Sequence, residues 1–343
     1  MLRVWSLTYN NGEPFEDPDR PFKHGDAFVG IADGEIAGAF AVMDLDTARG
    51  DGTMRNAGVL GVAVAPHRRG TGIGGEMMRW GIRHYRELGY ELATLYAFRE
   101  AYYRAFGYEV VGRRTKLTVE ASRFPKVESS LPVNVHGAGD WALIDECYQK
   151  MARARSGMSI RRPRQWERVL NPKGHRSIYA VGKPVEGYVI VQHKADFWQE
   201  QSIEEVSWCT RAGYLGALSV IRGIGINKTS VTWYEPSDSP YLTGFTDYGC
   251  SVVLERQVMA RVADLPASLR ALSPAESGEF TLEVRDDVAP ENAGPWRVRF
   301  RPGQVEVEKA NRAELAMDVR QFAQALMGEP SLAELSMNGL VEV

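Results

Sequence analysis

Four glycines and two adjacent arginines follow an apolar run at residues 62–78, in the sequence VAVAPHRRGTGIGGEMM. Successive glycines allow backbone N–H groups to point into one concavity, and the N-terminus of a following helix adds partial positive charge. Arg68 and Arg69 begin this loop, where they can add charge-assisted hydrogen bonds. The stretch therefore predicts an anion site, and a pyrophosphate suits it best.

Two common nucleotide motifs compete for this loop. A Walker loop needs Gly-Lys-Ser/Thr after its glycines, but Gly75 is followed by Glu76, so neither the lysine nor the magnesium-binding hydroxyl is present. A dinucleotide fingerprint would run from Gly70 to Gly75, with an acidic residue roughly 20 positions further on. Glu91 could serve as that residue, so the dinucleotide motif stays open as an alternative.

The elements around the loop follow a mixed α/β order. Asp33-Gly34 favours a type I′ hairpin turn, Pro66 ends an apolar strand, and Gly89 suits the C-terminal cap of a helix. The predicted elements are a hairpin at 26–45, a strand at 55–66, a helix at 72–88 and a strand at 90–98. A strand, a glycine loop, a helix and a second strand predict an α/β unit with parallel pairing.

A second set of elements repeats this order. Residues 135–262 contain helical patterns and then a hairpin, a strand, a helix and a strand, but no counterpart of the glycine and arginine cluster. Residues 122–134 lose periodicity and gain Pro and Ser, which is typical of a linker. The chain from about 264 onward shows a small α+β pattern. We therefore predict domains at 1–128, 129–263 and 264–343.

The loop fits a third pattern, Arg/Gln-x-x-Gly-x-Gly after a strand of form V-x-V-x-P. In this it resembles motif A of the Gcn5-related N-acetyltransferases (GNAT), which bind acetyl-coenzyme A. The resemblance implies that the strand backbone binds the pantetheine arm through Val62, Ala63 and Val64. It also implies that the pyrophosphate is held by Arg69, Gly70, Thr71, Gly72, Ile73, Gly74 and Gly75.

A second stretch, AFREAYYRAFGYE at 97–109, resembles the F-Y-x-x-x-G-F/Y signature of the enhanced intracellular survival (Eis-type) acetyltransferases. The resemblance implies that Tyr103 is the general acid that protonates the departing thiolate, and that Phe98 and Arg99 line the cofactor site. It also implies an α/β fold of tandem GNAT-like domains, the second degenerate, followed by a small sterol-carrier-protein-like α+β domain.

The acceptor amine must lose its positive charge before it can attack a thioester, because an ordinary lysine-type ammonium is almost fully protonated at neutral pH. In Eis-type enzymes the terminal carboxylate is the base, which by resemblance is that of Val343 here. Glu342, or a water held by Asp26 or Asp44, are the alternatives. The amide of Val64 is a candidate for stabilising the negative charge that develops on the carbonyl oxygen.

The composition limits the partners. With 41 Lys and Arg against 44 Asp and Glu the formal net charge is -3, which does not favour a nucleic acid. The three cysteines lack metal-ligand spacing, so no metal is expected. We see neither a leader nor a membrane segment, and expect a cytoplasmic protein. By resemblance the chain is expected to form a homo-oligomer, a hexamer.

The sequence thus predicts an N-acetyltransferase that uses acetyl-CoA as acyl donor and a primary amine as acceptor. An aminoglycoside-like small molecule, a lysine side chain or a polyamine all fit as the acceptor. Two other functions stay open. One is a catalytically silent acyl-CoA-binding or sensor protein, and the other is a lipid carrier that uses the C-terminal domain.

Overall fold

The structure, a computed structural model, describes residues 1–15, 25–170, 175–193, 198–247, 249–256 and 258–343. The chain divides into two compact units. The first comprises Met1–Gly112, Ser156–Ser159 and Gln257–Val343, and the second comprises Arg113–Arg155 and Ile160–Arg256. The mixed α/β fold class is confirmed, while the domain boundaries stated above stay a prediction.

The first unit begins with an eight-residue helix and a sheet that is covered by a longer helix. Its elements up to residue 110 are α1 (Leu2–Tyr9), β1 (Asp26–Ala32), β2 (Glu35–Arg49), β3 (Gly52–Val64), α2 (Ile73–Glu87), β4 (Leu92–Tyr96), α3 (Glu100–Arg104) and β5 (Glu109–Val110). A short 3-10 helix, Pro66–Arg68, connects β3 to the glycine loop.

The second unit contains its own sheet with helices. Its elements, in chain order, are β6 (Arg114–Glu120), β7 (Val133–Gly137), α4 (Ala142–Arg153), β8 (Ser159–Ile160, which straddles the division), α5 (Pro163–Leu170), β9 (Arg176–Val181), β10 (Gly187–Gln192), β11 (Gln201–Trp208), α6 (Arg211–Gly225), β12 (Ser230–Pro236), α7 (Pro240–Gly244) and β13 (Cys250–Glu255). The strand order is β13-β6-β12-β11-β10-β9-β7.

The chain then returns to the first unit. The last elements are β14 (Val258–Val262), α8 (Leu265–Arg270), β15 (Gly278–Arg285), β16 (Gly294–Arg301), β17 (Gln304–Lys309), β18 (Leu315–Asp318), α9 (Val319–Met327) and α10 (Leu332–Met337). Strand β14 inserts between β4 and β5, so the first sheet has the order β1-β2-β3-β4-β14-β5. Strands β15 to β18 form a separate sheet of order β17-β16-β15-β18, the predicted C-terminal α+β arrangement.

Local sequence explains the elements around the glycine loop. Strands β1 and β2 form the predicted hairpin, in which Asp33 and Gly34 have φ angles of 52° and 79°, the left-handed values that a type I′ turn requires. Helix α2 buries Met78, Ile82 and Tyr85 on one face against the sheet. The helix ends before Gly89, whose φ of 76° also lies in the left-handed region.

Strands β3 and β4 separate after a short stretch of parallel pairing. Residues 56–58 pair with 92–94, and in the described chain no further pairing joins the two strands, although they continue to Val64 and Tyr96. The register of β3 against β2 shifts over the same region, where Ala39 faces Ala63 but Ala41 faces Leu60. This β-bulge puts one extra residue into β3 and turns it away from β4.

A fully buried ion pair connects β14 to the C-terminal part of the first unit. Arg261 Nη2 donates to both carboxylate oxygens of Asp286, at 2.8 and 2.7 Å, and both side chains are completely buried. The same carboxylate accepts hydrogen bonds from the backbone N–H groups of Val288 and Ala289 and from Asn292 Nδ2. Nε and Nη1 of Arg261 have no hydrogen-bond partner among the described residues, so the buried charge of Arg261 depends on Asp286.

No helix among the described residues is both long enough and apolar enough to span a lipid bilayer.

We expect Asp286→Ala to lower the free energy of unfolding by about 3–5 kcal/mol, because it leaves the buried Arg261 charge without its partner. Denaturant unfolding measures this change. The matched control is Asp287→Ala, since Asp287 is the exposed neighbour. Equal stability of the two variants would contradict the importance of the pair.

Candidate active site

A cavity of about 590 Å³ lies in the first unit, where β3 and β4 separate. Three segments line it: the end of α1, residues 62–75 and residues 98–102. Of the twelve residues predicted to bind the cofactor, eleven line this cavity, and Thr71 does not. The Thr71 hydroxyl instead donates to the carbonyl oxygen of Arg68 at 2.7 Å and so stabilises the turn.

The N-terminus of α2 faces this cavity with its amides uncapped by a side chain. Its N-cap residue is Gly72, which has a φ of 90° and no side chain to accept a hydrogen bond from the first turn. Ile73, Gly74 and Gly75 of that turn all line the cavity, but the N–H of Gly75 already donates to the carbonyl oxygen of Gly72 at 2.9 Å, so the available donors are those of Ile73 and Gly74. The arrangement therefore offers backbone N–H donors and the positive end of a helix dipole to an anion.

The N-terminus of the corresponding helix in the second unit is capped by a side chain. Helix α6 follows β11 as α2 follows β3, but its N-cap Thr210 accepts a hydrogen bond from the backbone N–H of Gly213 at 2.9 Å. Tyr214, in the first turn, packs on Trp208 with ring centroids 4.7 Å apart and donates to buried Glu235. The first turn of α6 thus has a side-chain cap that the first turn of α2 does not have.

The described residues that line the cavity include three arginines and no carboxylate. Arg68 pairs with Asp33 at 2.7 Å and lies 3.7 Å from Glu35, both in the β1–β2 hairpin, and these partners raise the pKa of Arg68. Arg69 Nε donates to the carbonyl oxygen of Val64 at 3.2 Å, at the end of β3. Together with Arg99, these side chains give the cavity a positive charge that suits phosphate groups.

Helix α1 supplies hydrogen bonds to the bulged edge of β3. Trp5 Nε1 donates to the carbonyl oxygen of Gly61, and Tyr9 Oη donates to that of Val62, both at 2.6 Å. Gly61 has a φ of 63°, and a Cβ there would lie 3.2 Å from the indole ring of Trp5. The glycine is thus required both by the bulge and by the closely packed helix.

Tyr103 lies directly behind the cavity wall. Its ring is buried and contacts the rings of Phe98 and Tyr102, two lining residues, at centroid distances of 5.7 and 5.1 Å. Burial raises the pKa of Tyr103, and the nearby Tyr9 and Tyr102 hydroxyls raise it further. The phenol is therefore protonated at neutral pH and retains a proton that it can donate.

None of the carboxyl groups predicted as a base lines the cavity. Val343 is 91% exposed, and the preceding Glu342 pairs its backbone with Ala316 and its carboxylate with Arg285 at 3.2 Å. The role of the Val343 carboxylate stays a prediction.

The aspartates named as holders of a catalytic water lie near the far end of α2. Asp44 Oδ1 is 3.5 Å from an Arg55 guanidinium nitrogen. The pKa of Tyr90 is raised mainly by burial, and the nearby Asp44 and Asp26 raise it further. Glu91, the acidic residue of the alternative dinucleotide motif, accepts a hydrogen bond from the backbone N–H of Arg55 at 2.5 Å. That bond connects Glu91 to β3, outside the cavity lining.

Sequence reasoning missed three lining residues, Thr8, Tyr9 and Tyr102. The Tyr102 hydroxyl lies 2.8 Å from the position that a Cβ on Gly74 would occupy, so the ring closes one side of the glycine loop. Only the spacing of Trp5 and Tyr9 by one helical turn could have indicated that α1 presents two donors on one face. Nothing in the sequence indicates that this face meets β3.

Comparisons with known proteins agree with this geometry. Residues 1–111 match the family model described as an acetyltransferase (GNAT) domain, and residues 265–343 match that of a sterol carrier protein domain. An uncharacterized N-acetyltransferase of Streptomyces avermitilis is 27% identical over 347 aligned positions, which cover 92% of this chain and 83% of the relative. N-acetyltransferase Eis of Mycobacterium tuberculosis is 25% identical over 285 positions, which cover 76% of this chain and 70% of the relative.

Solved structures share the fold over the whole chain. A GCN5-related N-acetyltransferase from Anabaena variabilis superimposes with a TM-score of 0.89 at 20% identity, covering 99% of this chain and 90% of that one. Eis1 from Mycobacterium abscessus gives a TM-score of 0.82 at 17% identity, covering 100% and 90%. The class of protein is therefore an acetyltransferase of GNAT fold, a fold that uses acetyl-CoA as its donor.

The more particular resemblance is also confirmed. The chain has a GNAT domain at its start and a sterol carrier protein domain at its end, and its relatives include proteins named N-acetyltransferase Eis.

The buried tyrosines of the first unit predict a loss of stability at alkaline pH. Burial raises the pKa of Tyr85, Tyr103 and Tyr108 above the ordinary tyrosine value. The unfolded chain ionises these phenols from about pH 10, whereas the folded chain keeps them protonated, so the free energy of unfolding falls as the pH rises above about 10. Denaturant unfolding at a series of pH values measures this fall.

Tyr85→Phe tests the origin of that loss. The Tyr85 hydroxyl has no hydrogen-bond partner among the described residues, so its removal is tolerated at neutral pH. We expect the variant to reduce the alkaline slope by up to about 1.4 kcal/mol per pH unit, and Tyr96→Phe, at a site that is 72% exposed, to leave it unchanged. Identical slopes in all three proteins would contradict the assignment to buried tyrosines.

Proposed function

We propose that this chain transfers the acetyl group of acetyl-CoA to a primary amine in the cavity between β3 and β4. The observation that carries the proposal is one continuous cavity bounded by the uncapped N-terminus of α2, the open edge of β3 and the segment that contains Tyr103. A phosphate-binding end, an unpaired strand edge and a protonated phenol are the three features that a thioester donor needs.

The proposed donor contacts follow the cavity from one end to the other. The amides of the glycine loop, Arg69 to Gly75, hold the pyrophosphate, with Arg68 and Arg99 adding positive charge. The backbone of Val62 to Val64 binds the pantetheine arm along the edge that β4 leaves unpaired. Phe98 covers the arm from the other side, where its ring is 74% exposed.

Acetyl-CoA supplies a thioester whose acetyl group is transferred and whose thiolate leaves. In the proposed mechanism Tyr103 gives its proton to that thiolate, because the phenol is protonated at neutral pH and lies next to the cavity wall. A backbone N–H of β3 is proposed to stabilise the negative charge that develops on the carbonyl oxygen.

The proton of the amine must leave on the acceptor side of the cavity. The described cavity lining has no carboxylate. The proposed base is therefore the Val343 carboxylate that the resemblance implies, a group that is not part of this lining. The acceptor itself is proposed to be a small-molecule amine or a lysine side chain. A hexameric assembly and a cytoplasmic location also stay predictions from the resemblance.

The experiment that tests the function measures thiol released from acetyl-CoA in the presence of a panel of amines. Turnover with one of three classes of amine (aminoglycosides, polyamines or lysine peptides) supports the proposal and identifies the class of acceptor. Tight acetyl-CoA binding without turnover for any amine would instead support the acyl-CoA-binding or sensor alternative.

Gly74→Ala tests the donor site. A Cβ at this position would lie 2.8 Å from Tyr102 Oη and 3.3 Å from Val64 Cγ2, inside the cavity. We expect the Kd for acetyl-CoA, measured by calorimetry, to rise about tenfold, which is about 1.4 kcal/mol. The control is Gly223→Ala on α6, where a Cβ would meet nothing within 4 Å. Unchanged affinity in Gly74→Ala would remove the loop from the donor site.

Tyr103→Phe tests the general acid. We expect kcat to fall by about 10²–10⁴-fold with little change in the Kd for acetyl-CoA, because the variant removes only the proton donor. Tyr108→Phe is the matched control, since this buried tyrosine belongs to the same motif and its hydroxyl has no partner among the described residues. A normal rate in Tyr103→Phe would exclude Tyr103 from the mechanism.

A further inference from the structure

Tyr9 is a cavity residue that the donor contacts leave without a role. It is the last residue of α1 and lines the cavity together with Thr8. Its hydroxyl donates to the carbonyl oxygen of Val62 at 2.6 Å, yet the residue is 54% exposed. An anchored hydroxyl on an exposed ring is suited to meet a molecule that arrives from solvent.

Tyr9 is bonded to the end of the β3 lining that is further along the chain from the glycine loop. Val62 is the lining residue of β3 that is furthest along the chain from the glycine loop, and a strand advances about 3.3 Å per residue. With the pyrophosphate at the loop and the pantetheine along 62–64, the thioester end of the donor points toward Val62 and Tyr9. The acceptor has to reach this end.

The Tyr9 hydroxyl also shares its surroundings with the proposed general acid. Ionisation of either phenol would disfavour that of the other. Burial is the main cause of the raised pKa of Tyr103, and the charge interaction with Tyr9 is the next largest. Burial raises the pKa of Tyr9 as well, against the opposing effect of Arg69. Both phenols are therefore neutral, and they lie close enough to influence each other's ionisation.

The bond to Val62 determines what Tyr9 offers to that space. A tyrosine hydroxyl has one proton and two lone pairs, and the proton is engaged by the carbonyl oxygen. What remains for a ligand is a hydrogen-bond acceptor at a fixed position. A neutral amine has N–H groups to donate and needs its own lone pair free for attack.

We propose that Tyr9 holds the acceptor amine by accepting a hydrogen bond from its N–H, which directs the nitrogen lone pair toward the thioester. The inference rests on the proposed function. In the step it serves, the C–N bond forms and the C–S bond breaks, the thiolate takes the proton of Tyr103, and the surplus proton on nitrogen passes to the base or to water. Tyr9 keeps its own proton throughout.

Tyr9→Phe is the direct test, assayed with the best amine of the panel. We expect kcat/KM for the amine to fall about tenfold or more, mainly through a higher KM for the amine, while the Kd for acetyl-CoA stays within error of the parent protein. Tyr96→Phe is the matched control because Tyr96 is exposed and lies outside the cavity lining. It should retain the parental amine kinetics.

Trp5→Phe separates acceptor binding from support of β3. Trp5 makes the neighbouring bond to the Gly61 carbonyl but does not line the cavity. If Tyr9 only supports the strand, both variants will weaken acetyl-CoA binding and leave the KM for the amine unchanged, and the proposal is overturned. An unchanged KM for the amine in Tyr9→Phe overturns it as well. Absence of turnover in the parent protein with every amine would refute the proposed function itself, and the role of Tyr9 with it.

Discussion

The separation of β3 and β4 is the constraint on which the site depends. Two neighbouring strands that stop pairing leave backbone N–H and C=O groups without partners, and such groups are costly when they are removed from water. The bulge at Gly61 produces the separation, and α1 satisfies two of the carbonyl groups through Trp5 and Tyr9. The remaining edge is available to a ligand with amide groups of its own, which describes a pantetheine arm.

The second unit shows that strand order alone does not make such a site. Strands β11 and β12 also pair over a short parallel stretch, at 201–202 and 231–232, and α6 connects them. There, however, Thr210 caps the helix, and the ring of Tyr214 packs against Trp208. At the start of these two helices the units therefore differ in a few side chains, and the glycine at the N-cap of α2 leaves room for a ligand.

The sequence predicted those parts of the structure that depend on short stretches of chain. The type I′ turn at Asp33-Gly34 and the uncapped start of α2 follow from conformational preferences of single residues, and both are present. It could not predict contacts between distant segments. Tyr9 donates a hydrogen bond to Val62, 53 residues away in the sequence, and Arg68 donates one to Asp33, 35 residues away. No periodicity or motif encodes which surfaces of separate elements come together.

The insertion of β14 was unpredictable for the same reason. This strand follows the whole second unit in the sequence, yet it pairs with β4 along 92–96. An apolar strand pattern indicates burial but not its neighbour, and consecutive elements are adjacent only as a tendency. The side of β4 that does not face β3 is therefore occupied by a strand from more than 160 positions away.

This insertion also explains a glycine in the signature that contains Tyr103. Gly107 has a φ of 78°, and a Cβ there would lie 2.0 Å from Nη1 of the buried Arg261 on β14. The glycine thus serves the ion pair with Asp286 rather than a ligand. Helix α3 ends at Arg104, and Tyr108, which follows Gly107, packs on Tyr103 with ring centroids 6.1 Å apart, so the glycine also adjoins the residue that packs on the proposed general acid. The signature at this site therefore combines a chemical group with residues that pack around it, and Gly107 leaves the space that the buried Arg261 side chain occupies.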